Sequence, residues 1–151
     1  MKFVWPMLIV LSVFVSGVLA EDAAQKVAVE VESFKLTDAK VVALEGASGG
    51  KAVEFSGEKS RAVGSVTLSP GTWYAALYMI GGAEDEDAVF LEFGGVKARL
   101  YQSEFTIEEA VPSDYDLVEP RAKIEKDGEC EVVLSFAEPN VRLDRIVFRK
   151  E

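Results

Sequence analysis

Three carboxylates have the spacing of a possible metal site. Glu30 and Glu32 lie two positions apart in an alternating segment, so in a β-strand both side chains would project from one face, with Cα atoms about 6.5 Å apart. Asp144 has the same parity as Ile146 and Phe148, which places its carboxylate on the apolar face of a predicted strand. A carboxylate at the boundary of a core needs a partner.

Two kinds of partner would satisfy these carboxylates. Carboxylates that share a face repel each other unless a basic side chain or a cation lies between them. Arg142, Arg145 or Lys51 could supply the positive charge, and the two glutamates could also form an ordinary solvated strand face. The other partner is a hard cation bound by carboxylate and carbonyl oxygens, a ligand set that suits calcium.

The composition excludes several classes of chemistry. The sequence contains no histidine, which removes the commonest general base, the Ser-His-Asp triad and the commonest zinc ligand. Cys130 is the single cysteine, so no intramolecular disulfide can form, and alternation around it predicts a buried, inert thiol. The net charge of −10 argues against nucleic acid as a partner, because phosphates require basic surfaces.

Residues 1–20 have the pattern of a secretory signal peptide. Lys2 precedes an apolar run over residues 3–15, and small residues close the segment at Ala20. The run is shorter than the roughly 20 residues that span a bilayer. We therefore expect cleavage after Ala20 and a secreted protein, periplasmic or extracellular, whose single domain comprises residues 21–151 without a membrane span.

The rest of the chain consists of short alternating segments separated by turn residues, a pattern typical of strands. The predicted strands are 27–34, 41–44, 51–55, 62–68, 72–80, 88–93, 96–101, 121–125, 129–136 and 143–149. Only residues 104–110 have the pattern of a short helix. About ten strands without a long amphipathic helix predict an all-β sandwich or barrel.

Five short stretches of this sequence form a series. In chain order they are Glu30-Val31-Glu32, Ala-Ser-Gly-Gly-Lys-Ala-Val at 47–53, Pro-Gly-Thr-Trp-Tyr at 70–74, Asp-Ala-Val-Phe-Leu-Glu-Phe-Gly-Gly at 87–95, and Val-Arg-Leu-Asp-Arg-Ile-Val at 141–147. In this order they resemble motifs of carbohydrate-binding modules of families 6 and 35, from the Glu-x-Glu of the first strand to the closing Leu-Asp-x-Ile/Leu strand. The resemblance covers nearly all of the chain beyond residue 20. Each motif is short, so the specificity comes from their order.

The resemblance implies a jelly-roll β-sandwich of the galactose-binding-like type, with a structural calcium between the first and last strands. It places Glu30, Glu32 and Asp144 at side-chain ligand positions, with a backbone carbonyl near Lys51 as a further ligand. Sugars are bound in these families by loop aromatics together with polar groups. The corresponding candidates here are Tyr78, Tyr101, Tyr115 and Asn140.

The sequence therefore predicts a secreted, non-catalytic module that binds a glycan or polysaccharide. Two departures from the resemblance concern sugar binding: residues 102–119 lack the tryptophans that relatives often carry there, and Tyr78 stands where many relatives have arginine. The alternative is a secreted or cell-surface module that binds a protein through the same sandwich. A glycoside hydrolase with paired carboxylates is a third interpretation, but no acid in the sequence stands out as one with a raised pKa.

Overall fold

The computed structural model describes residues 25–82 and 85–151, so the predicted signal peptide lies outside the described residues. The described part forms thirteen strands and two 3-10 helices, Val31–Ser33 and Ser48–Gly50. The strands are β1 (Lys26–Glu30), β2 (Lys35–Thr37), β3 (Ala39–Ala43), β4 (Lys51–Phe55), β5 (Arg61–Leu68), β6 (Gly71–Ile80), β7 (Ala88–Phe93), β8 (Val96–Tyr101), β9 (Glu108–Glu109), β10 (Val111–Pro112), β11 (Arg121–Ile124), β12 (Gly128–Phe136) and β13 (Val141–Lys150). Across residues 25–82 and 85–151 there is no helix whose length and hydropathy would let it cross a bilayer.

The strands form two antiparallel sheets. The seven-stranded sheet has the order β11-β6-β13-β4-β3, with β1 also paired to β13 and β9 to β6, and the six-stranded sheet has the order β10-β8-β7-β12-β5-β2. The pairing of β1 with β13 confirms that the first and last strands are neighbours. These two sheets give the all-β sandwich that the strand pattern predicted, with the jelly-roll form that the resemblance implied.

The core lies between the two sheets. Every second residue of β6 from Trp73 to Met79 is buried, and so are alternate residues of the other long strands, because one face of each sheet packs inward. The rings of Phe93 in the six-stranded sheet and Phe148 in the seven-stranded sheet meet edge to face, with centroids 5.3 Å apart. This packing fixes the position of β13, which carries Asp144.

The first strand is shorter than predicted. It ends at Glu30, and the 3-10 helix Val31–Ser33 follows, so the prediction that Glu30 and Glu32 share a strand face is wrong. The reason is topological: β1 belongs to one sheet and β2 to the other, so the chain must leave the first sheet between them. Val31 is fully buried at this crossing.

The predicted helix over residues 104–110 is also wrong. The chain there is a loop that leads into β9, and β9 pairs with Tyr78 and Met79 of β6. The side chain of Gln102 stabilises the loop, since its Nε2 donates to the Met79 carbonyl at 3.0 Å and its Oε1 accepts from the backbone of Glu104 at 2.5 Å. The edge of the sheet therefore satisfies backbone groups that a helix would have paired internally.

Candidate metal centre and ligand cavities

Strand β13 positions Asp144 at a discontinuity of the seven-stranded sheet. On one edge of β13, residues 145–149 pair with β1, whereas residues 141–143 pair with β4. On the other edge, the pairing with β6 shifts register between Leu143 and Arg145, which is a β-bulge. Asp144 therefore lies between the two pairings, and it is 0% exposed.

The 3-10 helix Ser48–Gly50 brings the other two carboxylates to the same place. The Ser48 hydroxyl donates to Glu30 Oε1 at 2.5 Å, and the Ser48 backbone N–H donates to Asp144 Oδ1 at 2.8 Å. Gly49 has φ +64°, and a Cβ at that position would lie 3.6 Å from Glu32 Oε1. Glu30, Glu32 and Asp144 thus surround one short segment, the one that immediately precedes Lys51 and β4.

The positive charge of Arg145 balances only part of the negative charge of Glu30, Glu32 and Asp144. Arg145 forms an ion pair with Asp144 Oδ2, but among residues 25–82 and 85–151 Glu30 Oε2 and Glu32 Oε2 are buried without a hydrogen-bond partner. Buried carboxylate oxygens without a partner are costly, so a cation bound to them would be stabilising. Carboxylate oxygens are ligands of the kind that calcium prefers. We call Glu30, Glu32 and Asp144 the carboxylate cluster.

The carboxylate cluster is not a closed coordination site in this arrangement. Within residues 25–82 and 85–151, no three Asp, Glu or Cys side chains have the mutual geometry of a metal-binding group. Ser48 donates hydrogen bonds to Glu30 Oε1 and Asp144 Oδ1, and Arg145 donates one to Asp144 Oδ2. The cluster therefore has the donor chemistry for a hard cation, with two orphaned oxygens available. The Lys51 side chain is exposed at the start of β4.

A first cavity of about 370 Å³ lies beside Asn140. Its lining includes Phe105, Asn140, Arg142 and Glu86, which together present an aromatic ring, an amide, a guanidinium and a carboxylate. Phe105 is 78% exposed, so its ring is accessible to a ligand in this cavity. Asn140 has φ +63°, and its N–H donates to the Phe55 carbonyl at 2.7 Å, which fixes the turn before β13.

A second cavity of about 400 Å³ brings together Tyr101 and Tyr115. Tyr115 is 91% exposed, and the guanidinium of Arg99 lies 5.8 Å from its ring centroid. Arg99 in turn pairs with Glu138 at 2.7 Å. This cavity is more strongly charged than the first, since Asp87 also lines it.

Asp87 and Glu138 form a hydrogen-bonded carboxyl pair in the second cavity. Burial and the hydrogen bond with Glu138 raise the pKa of Asp87 to about 6. The pKa of Glu138 is lowered because hydrogen bonds from Asp87 and the charge of Arg99 outweigh the opposing effect of burial. The Asp87 N–H donates to Glu138 Oε2 at 2.9 Å. Sequence analysis did not find this acid, because its partner lies 51 positions away.

Tyr78 lies elsewhere. Its hydroxyl accepts a hydrogen bond from Arg149 Nη2 at 2.9 Å, and the Arg145 guanidinium lies 4.3 Å from its ring centroid. Tyr78 lines neither of the two cavities. The structure thus separates the four predicted sugar-binding residues into three places and joins only Tyr101 with Tyr115. It adds Phe105, whose only sequence signal is an aromatic residue in an otherwise polar loop.

Comparison with known proteins gives structural relatives alone. No protein family model matches the sequence, and no curated protein matches it. A carbohydrate-binding module CBM36 in complex with calcium and xylotriose is 16% identical with a TM-score of 0.62, over 81% of this chain and 98% of the module. The CBM36-1 domain of a multidomain xylanase from the hindgut metagenome of Trinervitermes trinervoides is 13% identical with a TM-score of 0.61, over 84% and 98%.

The chain has the fold of a carbohydrate-binding module. An exo-β-1,3-galactanase from Phanerochaete chrysosporium, solved with β-1,3-galactotriose, is similar at 19% identity with a TM-score of 0.66, over 83% of this chain. The chain spans 29% of that galactanase, but 98% of each CBM36 module. At these identities the likeness establishes the fold, and it confirms the fold that the resemblance to families 6 and 35 implied.

Proposed function

We propose that this protein is a secreted, non-catalytic carbohydrate-binding module with a structural calcium. The observation that carries the proposal is the fold, which matches separate carbohydrate-binding modules over 98% of their length. One of those modules is in complex with calcium and xylotriose. We assign the calcium to the carboxylate cluster and the glycan to the first cavity.

The calcium would be held by the carboxylate cluster. Within the described residues Glu30 Oε2 and Glu32 Oε2 are buried oxygens without a partner, and Ser48 links Glu30 to Asp144 through two hydrogen bonds. A backbone carbonyl near Lys51 is the further ligand that we propose. Calcium takes 6–8 oxygens and binds in flexible geometries, so water would complete the shell. Its role is structural: it would join β1, β13 and the segment before β4.

The glycan would bind in the first cavity. The exposed ring of Phe105 can cover the apolar face of a sugar, and Asn140, Arg142 and Glu86 can hydrogen-bond its hydroxyls. The second cavity, with Tyr101 and Tyr115, is the other candidate location.

A non-catalytic role agrees with the geometry of Asp87, the one carboxyl group among the described residues whose pKa is raised. Glycosidases hold their two carboxyl groups about 5–9.5 Å apart with the sugar between them. Asp87 and Glu138 are instead hydrogen-bonded to each other, and Glu138 is also paired with Arg99. This arrangement leaves no space for a glycosidic bond between the two acids.

Protein binding is the second candidate function, and one observation favours it. The segment between β8 and β11 exposes several large apolar side chains, a feature of interaction surfaces. They are Phe105, Val111, Tyr115, Leu117 and Val118. A partner protein would cover this segment without using the amide of Asn140.

A glycan array with the purified protein in calcium buffer tests the proposal. We expect binding that Phe105→Ala and Asn140→Ala each reduce at least tenfold, whereas Leu117→Ala, an exposed apolar control 69% accessible, leaves it unchanged. Loss on Tyr115→Ala with Phe105→Ala unaffected would assign the glycan to the second cavity instead. A folded, calcium-saturated protein that binds no glycan would refute carbohydrate binding, and a Leu117-dependent protein partner would then support the second function.

A further inference from the structure

Arg145 connects the carboxylate cluster with the surface of the seven-stranded sheet. Its guanidinium pairs with Asp144, which is 0% exposed, while its own side chain is 30% exposed. The same guanidinium stacks on Tyr78 at 4.3 Å from the ring centroid, and the backbone of Arg145 pairs with Glu30 of β1. Arg145 is thus held from three sides at the edge of the cluster.

The charges at this site are unequal. Arg145 pairs with Asp144, and within residues 25–82 and 85–151 neither Glu30 nor Glu32 takes part in a salt bridge. Carboxylates that border one short segment and bury oxygens there repel each other. Removal of Arg145 would therefore leave all three carboxylates without a compensating charge.

We propose that Arg145 is an internal counter-ion of the carboxylate cluster that sets its affinity for calcium. In calcium-free protein it stabilises the fold by offsetting part of the carboxylate charge. When calcium binds, the same positive charge repels the ion and competes for Asp144. The inference rests on the calcium site proposed above, and it names a residue outside the ligand set as the one that adjusts binding.

The two effects of Arg145 have opposite signs, which makes them separable. Arg145→Gln should unfold at a lower temperature in EDTA, because Asp144 loses the guanidinium with which it is paired. The same variant should bind calcium about tenfold more tightly, because a repulsive unit charge a few ångströms from the ion is gone. In saturating calcium the melting temperatures of variant and wild type should converge. A residue with a purely structural role would lower stability under both conditions.

The matched control is Arg121→Gln. Arg121 also pairs with glutamates, Glu119 and Glu151, and lies 5.8 Å from the ring centroid of Tyr74, but it is on the surface away from the cluster. We expect this control to leave the dissociation constant for calcium unchanged.

The test combines isothermal titration with CaCl₂ and thermal melts in EDTA and in excess calcium. A calcium affinity of folded Arg145→Gln equal to or weaker than that of the wild type would overturn the inference. If the wild type binds no calcium, the proposed calcium site fails, and the EDTA melts alone decide whether Arg145 is a counter-ion. In that case equal melting temperatures of Arg145→Gln and Arg121→Gln would refute it.

A second variant covers the possibility that Arg145→Gln does not fold. Glu32→Gln combined with Arg145→Gln removes one negative charge together with the positive one. The counter-ion role predicts that this double variant melts at a higher temperature in EDTA than Arg145→Gln alone. A double variant that is no more stable than the single one would contradict a role based on charge.

Discussion

Replacing Asp144 by asparagine tests the centre of the carboxylate cluster. The substitution keeps the size and shape of the side chain, and Ser48 N–H can still donate to the amide oxygen. The ion pair with Arg145 is lost. Breaking a fully buried pair costs about 3–5 kcal/mol, but Arg145 is 30% exposed and can return to water, and the repulsion from Glu30 and Glu32 falls. We therefore expect a loss of about 1–2 kcal/mol in EDTA.

In excess calcium the loss should be larger. A ligand that binds only the folded state stabilises it by about 2.7 kcal/mol at one hundred times its dissociation constant. For a domain of this size, 1 kcal/mol changes the melting temperature by about 4 °C. Calcium should thus raise the melting temperature of the wild type by about 10 °C, and Asp144→Asn should lose most of that rise.

Differential scanning calorimetry in EDTA and in calcium measures both quantities on the same preparations. Circular dichroism of Asp144→Asn at 20 °C establishes that the variant is folded. Identical melts of the wild type in calcium and in EDTA, with no metal bound to the purified protein, would refute the calcium site. The cluster would then be an ordinary network in which Ser48 and Arg145 satisfy Asp144.

Two further predictions concern other parts of the fold. Burial and Glu138 raise the pKa of Asp87 from 3.8 to about 6. Between these two values the folded protein keeps a proton on Asp87 that the unfolded chain has released. The contribution of Asp87 to stability therefore falls as the pH rises from about 4 to about 6. Asp87→Asn should therefore gain stability relative to wild type over this range, and urea unfolding at several pH values measures the slope. Gly64→Ala should cost about 1–3 kcal/mol, since its Cβ would lie 2.3 Å from the Phe34 ring, whereas Gly57→Ala has open space and should change the urea midpoint little.

Short strands bounded by turn residues were predictable from sequence. The segments 51–55, 88–93 and 96–101 have the same bounds as β4, β7 and β8. From Val53, Val89 and Ala98 onward every second side chain of these strands is buried, so the hydrophobic pattern indicates them. The segment 104–110 was not predictable in this way, because it is fixed by Gln102 and by the edge of β6, which local spacing does not reveal.

The burial of Asp144 was predictable because its position in the alternating pattern was counted from the residues that follow the bulge and not from Leu143, which precedes it. Asp144 lies at the register shift and has the parity of Ile146 and Phe148, which follow it, and all three are buried. Leu143, on the other side, is buried too, so alternation counted from Leu143 would have placed Asp144 in solvent. The meeting of Tyr101 and Tyr115 in one cavity that Tyr78 does not line depends on loop paths, and no periodic pattern encodes those paths.

The carboxylate cluster lies at an interruption in the strand pairing of the seven-stranded sheet. Along one edge of β13 the ladder changes from β4 to β1, and the bulge at Asp144 falls at this change. The described chain has a free Cys130 and no disulfide to tie its first and last strands together. Ser48 already links the first and last strands, because it donates hydrogen bonds to both Glu30 and Asp144. A cation bound to the unpartnered oxygens of Glu30 and Glu32 would strengthen this link. On this argument, calcium should protect the amides of β1 against hydrogen exchange more than those of β7, which lies in the other sheet.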